Sequence, residues 1–175
     1  MVDTIVVNLI GGPGCGKSTA AAGVFSGLKW SGVNCELALE FVKDAVWEKN
    51  LKVLDNQLYI LANQHHRIWR LANQVDVIIT DSPLFLSLIY GEKESKLFKD
   101  FTLELYNNFN NMTFFLERTK LYNATGRIQT EEEAKQIDLD ILKKLKENNI
   151  DYETVKADAQ CEYIITQKVL EVLNG

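Results

Sequence analysis

The chain has 175 residues, 46% of them hydrophobic and 25% charged, a balance that fits one globular domain with a layered core. Its formal net charge of −5 argues against broad adhesion to nucleic acid or acidic membranes, and no stretch reaches the roughly 18 consecutive apolar residues of a membrane span. Cys15, Cys35 and Cys161 are far apart and in no metal-ligand spacing, so neither a disulfide framework nor a zinc site is expected; with no basic leader before the first apolar run, a cytoplasmic protein is.

The first element is an apolar, β-branched run from about Thr4 to Ile10, the length of a buried parallel strand. It leads into Gly11-Gly12-Pro13-Gly14-Cys15-Gly16-Lys17-Ser18-Thr19, which fills the pattern G-x-x-x-x-G-K-[ST]. A helix from Lys17 to about Trp30 follows, ended by Ser31-Gly32. Strand, glycine loop and helix in that order make a phosphate cradle: the glycines let backbone N–H groups turn inward, and the helix N-terminus adds partial positive charge. Lys17 is expected to reach the β- and γ-phosphates of ATP and the Ser18 hydroxyl to bind Mg²⁺. Thr19 reads as an early helix residue packing under the loop, and Cys15 as a small residue whose N–H matters rather than its sulfur.

A second strand, about Asn34 to Glu40, precedes a helical region with Phe41, Val42, Ala45, Val46 and Trp47. Asp55 is placed to cap a helix to about Ala72 with Leu58, Leu61, His65, Ile68 and Ala72 in its apolar stripe. Val75 to Asp81 is a third strand, Met112 to Leu116 a fourth, and Tyr152 to Lys156 a shorter, more polar fifth. Thr130 and Glu133 form a capping box for a helix with Ala134, Ile137, Ile141 and Leu145 on one face, and a last helix covers about Gln160 to Leu173. Strands alternating with helices predict an α/β fold in three layers, a parallel sheet with helices on both faces and ligands at the carboxyl ends of the strands.

Several residues fall at those ends. Asp81 closes an apolar strand, where a carboxylate holds Mg²⁺ in phosphate-loop enzymes; the competing role is a helix cap, for which Ser82 is better placed. Glu40 ends the second strand, where a carboxylate can orient or deprotonate an acceptor hydroxyl, and Asp44, one turn on, competes for that task. Arg118 and Arg127 flank a loop containing Lys120, Tyr122 and Gly126, which reads as a lid over about residues 117–130 whose guanidinium groups stabilise the charge of a transferring phosphoryl group. The helix carrying Gln57, Gln64, His65, His66, Arg67 and Trp69 lies near the acceptor side, with Gln64 and Arg67, together with Tyr122, as candidate substrate contacts.

Together, the phosphate loop, Glu40-Phe41-Val42-Lys43-Asp44, Gln57 and Gln64, Thr80-Asp81-Ser82-Pro83, and Arg118 with Gly126-Arg127 resemble the phosphate-loop kinases of small metabolites and nucleosides. The chain is most similar to the kinase domain of the nicotinamide riboside kinase (NadR-type) group, which includes many bacteriophage proteins. The resemblance implies strand order 2-3-1-4-5 and ATP-dependent phosphorylation of a hydroxyl or phosphate of a nucleoside-like or nucleotide-like small molecule. That kinase core serves several substrates. Two other readings stay open: a kinase acting on a nucleic-acid end or a hydroxymethylated base, disfavoured by the net charge, and a nucleotide-hydrolysing regulator.

Overall fold

A computed structural model describes residues 4–119 and 129–175. Five strands, β1 (Ile5–Ile10), β2 (Cys35–Ala38), β3 (Val77–Thr80), β4 (Asn110–Glu117) and β5 (Glu153–Lys156), pair in the order β2-β3-β1-β4-β5. All four pairings are parallel, with Asn8 level with Thr80 and Thr113, and Ala38 level with Thr80. The expected α/β architecture and strand order are therefore those observed.

β1 is buried along its whole length, as a central strand covered on both faces must be. Its side chains alternate between two cores. Ile5, Val7 and Leu9 join the core beneath α1 (Lys17–Trp30), where Val24, Leu28, Ile165 and Val169 also lie, the last two from α7 (Cys161–Asn174). Val6 and Ile10 join the opposite core with Leu61, Ile68, Phe85, Ile141 and Leu145. That face is covered by α3 (Gln57–Trp69), α4 (Ser87–Tyr90), α5 (Lys96–Asn107) and α6 (Glu131–Glu147). The one polar residue of β1, Asn8, is buried and spends its amide on Val6 O and on Asn111 Oδ1 at 2.8 Å, which removes the cost of desolvating it.

β1, β2, β3 and β5 are shorter than expected, because ladder pairing stops where the chain bends toward the next element, whereas β4 is longer than the expected Met112 to Leu116: Asn110 and Asn111 pair with Ile5 and Val6, and Glu117 pairs with Lys156. After α2 (Phe41–Trp47) comes an unanticipated 3₁₀ turn, Leu51–Asp55, and the cap of α3 is Asn56, whose side chain accepts from Tyr59 N–H, rather than Asp55. The register of α3 also differs from the expected stripe. Leu58 is exposed, and the buried face reads Ile60, Leu61, Gln64 and Ile68. His65 is half-buried against the Phe109 ring, and burial holds its imidazole below the usual histidine range. The capping box is present: Thr130 Oγ1 accepts from Glu133 N–H while the Glu133 carboxylate accepts from Thr130 N–H. Among the described residues no helix is long and apolar enough to cross a membrane.

Candidate active site

The carboxyl ends of β1, β2, β3 and β4 lead into the phosphate loop, Glu40, Asp81 and Arg118. The loop takes its shape from backbone that side chains disfavour. Gly14 (φ 76°) and Gly16 (φ 106°) are left-handed, and Gly16 caps α1 with no side-chain bond, leaving that helix's first N–H groups directed outward. No acidic side chain in the first turn of α1 offsets its positive end. Lys17 crosses the loop, its Nζ donating to Gly11 O at 2.7 Å and to Gly12 O at 3.0 Å. Pro13 is half-buried on the rim. Cys15 is buried with its side chain in the α1 core, which agrees with a role for its backbone. Thr19, expected beneath the loop, is exposed instead.

Asp81 sits at the meeting point. It is buried, and it caps nothing: the short 3₁₀ turn that follows, Leu84–Leu86, has Pro83 at its N-cap and no side-chain cap. Asp81 Oδ2 accepts from Ser18 Oγ at 2.5 Å, and Oδ1 accepts from Glu40 N–H at 3.0 Å. Each oxygen thus serves a different half of the site. The donor set of one hydroxyl and one carboxylate suits a hard, oxygen-seeking cation that draws its other ligands from phosphate and water. Among the described residues no group of three or more His, Cys, Asp or Glu side chains forms a protein-only metal cage.

The Glu40 backbone is held from two sides. Asp81 takes its N–H, and buried Gln64 accepts from the next one, Phe41 N–H, through Oε1 at 3.0 Å. Gln64 Nε2 reaches Thr80 Oγ1 at 3.5 Å, and that hydroxyl in turn donates to Ala38 O. Gln64, expected as a substrate contact, is therefore a buried brace behind Glu40. The Glu40 carboxyl is raised above the usual range first by burial and then by Asp81 and Asp44; Lys17 and Lys43 oppose that rise.

Asp44 and Arg67 face each other. Arg67 Nη2 donates to the Asp44 carboxylate and Nη1 to Leu39 O, with the guanidinium 5.5 Å from the centre of the Phe41 ring. This pairing leaves Glu40, rather than Asp44, as the carboxylate next to Lys17 and Asp81. Phe41 also meets the Tyr59 ring edge-on, and His66 is exposed against Trp69. Lys120, Tyr122, Gly126 and Arg127 lie outside the described residues, as does most of the expected lid.

Two residues of the site escape a reading of the sequence. Tyr90, at the end of α4, is exposed as a residue, yet desolvation about its phenol and the neighbouring Glu40, Cys15 and Asp138 all raise its pKa, which sets it near Glu40, the phosphate loop and α6. Asp138, on α6, accepts from Gly12 N–H and from Arg118. Its signal was an acid among Ala134, Ile141 and Leu145 on an otherwise apolar face.

The fold is shared with known proteins. The NadR protein in complex with NR superposes with a TM-score of 0.73 at 14% identity over 96% of this chain, which spans about half (51%) of that protein. Thymidylate kinase from Ehrlichia chaffeensis gives 0.64 at 16% identity, covering 97% of this chain and 98% of that one. Deoxyadenosine kinase from M. mycoides with bound dATP gives 0.55 at 17% identity, covering 97% and 100%. No curated protein matches in sequence. These likenesses show a phosphate-loop, nucleoside-kinase-like fold. A family model described as an AAA domain matches residues 6–161, nearly the whole chain, and the protein belongs to that family.

Proposed function

We propose that this protein is an ATP-dependent phosphotransferase that moves the γ-phosphoryl group to a hydroxyl or phosphate of a nucleoside-like or nucleotide-like small molecule. The observation that carries the reading is the chain of contacts Ser18–Asp81–Glu40, which joins a phosphate loop to a carboxylate of raised pKa. The likeness to kinases acting on such molecules supports it. In this reading residues 1–175 act as one kinase unit with a lid over about 117–130, in the cytoplasm where ATP is available.

The loop from Gly11 to Thr19 cradles the phosphates through N–H groups beyond that of Gly12, which Asp138 holds, and Lys17 swings from the Gly11 and Gly12 carbonyls to the β- and γ-phosphates. Ser18 and Asp81 would hold Mg²⁺, which when bound supplies charge neutralisation on the phosphates. Glu40 accepts the acceptor's proton as the new O–P bond forms, and the bond from the γ-phosphorus to the bridging oxygen breaks to release ADP. A half-buried carboxylate with a raised pKa suits a hydroxyl acceptor, which has a proton to lose, better than a phosphate, which brings like charge toward Glu40 and Asp81. Arg118, at the end of β4, lies where positive charge meets the phosphoryl group, with Arg127 as its counterpart in the lid.

Labelled ATP offered to ribonucleosides and deoxynucleosides, nicotinamide riboside, nucleoside monophosphates, and plain or hydroxymethylated DNA tests the reading. Transfer to a nucleoside or nucleotide is expected. Transfer to DNA alone, or release of free phosphate with every acceptor, overturns it in favour of a nucleic-acid kinase or a nucleotide-hydrolysing regulator.

A further inference from the structure

Asp138 is a carboxylate on the inward face of α6, between the buried Ala134 and Ile141. Its side chain is only 15% exposed, so its charge must be matched by donors. The two oxygens divide the work. Oδ1 accepts from Gly12 N–H of the phosphate loop at 2.5 Å, and Oδ2 accepts from Arg118 Nε at 3.2 Å and Nη2 at 3.0 Å. Arg118 is equally enclosed, its side chain 10% exposed. The three groups meet where only a glycine fits. A Cβ on Gly12 would stand 2.5 Å from Ala134 O, 2.7 Å from Asp138 Oδ1 and 3.3 Å from Arg118 Nη2.

We propose that Asp138 is a positioning residue that fixes the Arg118 guanidinium against the phosphate loop, so that α6 sets the alignment of the catalytic arginine with the nucleotide. The inference rests on the phosphotransferase reading above. A guanidinium stabilises developing charge only if it already stands where that charge appears, and an arginine at a strand end has several rotatable bonds with which to leave. Gripping the fork along its Nε–Nη2 edge removes that freedom. Anchoring the same carboxylate to the loop's own N–H ties the arginine to the nucleotide site rather than to the sheet in general. The bond to Gly12 and the bond to Arg118 are thus two ends of one gauge.

The test measures Mg²⁺-dependent ATP turnover, with the best acceptor and with water, alongside ADP affinity in the wild type, Asp138→Ala, Asp138→Asn, Arg118→Ala and the Arg118→Ala/Asp138→Ala double variant. Asp138→Ala is expected to lower kcat roughly 10- to 100-fold, the scale of a misplaced catalytic group. ADP affinity should stay within about threefold, because Lys17, Ser18 and Asp81 are untouched and the loop loses only the Gly12 bond, and the same change should cost less than about twofold once Arg118 is absent. Asp138→Asn, which keeps an oxygen for Gly12 N–H but loses the ionic grip, should fall between and guards against misfolding of the alanine variant. Equal losses in kcat and ADP affinity, or an undiminished cost in the Arg118→Ala background, would overturn the proposal and leave Asp138 as a helix anchor. A wild-type protein that neither binds nor turns over ATP sinks the phosphotransferase reading and this inference with it.

Discussion

In the proposed role of general base, Glu40 meets two opposed demands. Burial raises its carboxyl pKa, so the native state favours the protonated form, while a base must be ionised to work. The linkage has a definite sign. A carboxyl raised on folding contributes stability that is complete below its unfolded pKa and is lost as pH climbs through the folded value. Turnover should run the other way, rising with pH through that same raised value. Glu40→Gln is therefore expected to lower kcat by about 10² or more, to abolish the acidic limb of the pH–rate profile, and to leave the melting temperature at neutral pH equal or higher. Kinetics and thermal melts from pH 4 to 9 check this; a variant that loses stability but keeps its turnover would remove Glu40 from the chemistry. The meeting of Ser18 with Asp81, and the place of Lys17 across the loop, were legible because a motif and a strand end fix where each residue stands. Gln64 was legible as important but not as to direction: an amide on a helix reads the same whether it faces a ligand or, as here, braces a backbone N–H. Asp138 was hidden by its neighbour, since Ile137 supplies the apolar residue that the helical stripe calls for and draws attention from the acid beside it.

At the level of elements, α6 and the phosphate loop are in direct contact at Gly12, a position whose glycine answers a need for space. Gly12→Ala places a methyl 2.5 Å from Ala134 O, a backbone atom that no rotamer change can move aside, and 2.7 Å from the Asp138 carboxylate. The helix must shift. The expected cost is about 1–3 kcal/mol, the range for overpacking a close contact, read by denaturant unfolding together with ATP turnover. A Gly12→Ala protein of unchanged stability would show that α6 rides looser on the loop than its hydrogen bonds indicate. Elements of this kind were well marked where a motif and a Ser31-Gly32 stop bounded them, as in α1, or where periodicity and a capping box agreed, as at Thr130 and Glu133. They were poorly marked between Trp47 and Gln57, where the 3₁₀ turn has no period of its own and Asn56 takes the cap from the adjacent Asp55. Strand order followed from likeness to a family rather than from any local pattern, because parallel strands carry no turn signal that names their neighbours.

For the whole molecule, the nucleotide is expected to act as a stabiliser, since it binds the cradle only when the sheet has brought loop and Asp81 together. At a hundredfold excess over Kd, ligand binding adds about 2.7 kcal/mol, which for a chain of this size corresponds to a rise in Tm of roughly 5–11 °C. ATP or ADP with Mg²⁺ should produce that shift in a melt, and Lys17→Ala should lose most of it while its ligand-free Tm stays close to that of the wild type. An undiminished shift in the variant would place the nucleotide elsewhere.

The divided hydrogen bonding of Asp81 also bears on the order in which the protein fills. Its Oδ2 answers to Ser18 beside the phosphate loop and its Oδ1 to Glu40 on the proposed acceptor side, so whatever reorients this one carboxylate is felt in both halves. Two ligands that bias a shared group cannot bind independently, and thermodynamic reciprocity requires each to change the other's affinity by the same factor. Calorimetric titration of ADP with and without a saturating acceptor, and of acceptor with and without ADP, should return a common coupling factor. Asp81→Asn should bring that factor close to one, turning a cooperative pair of substrates into two that ignore each other.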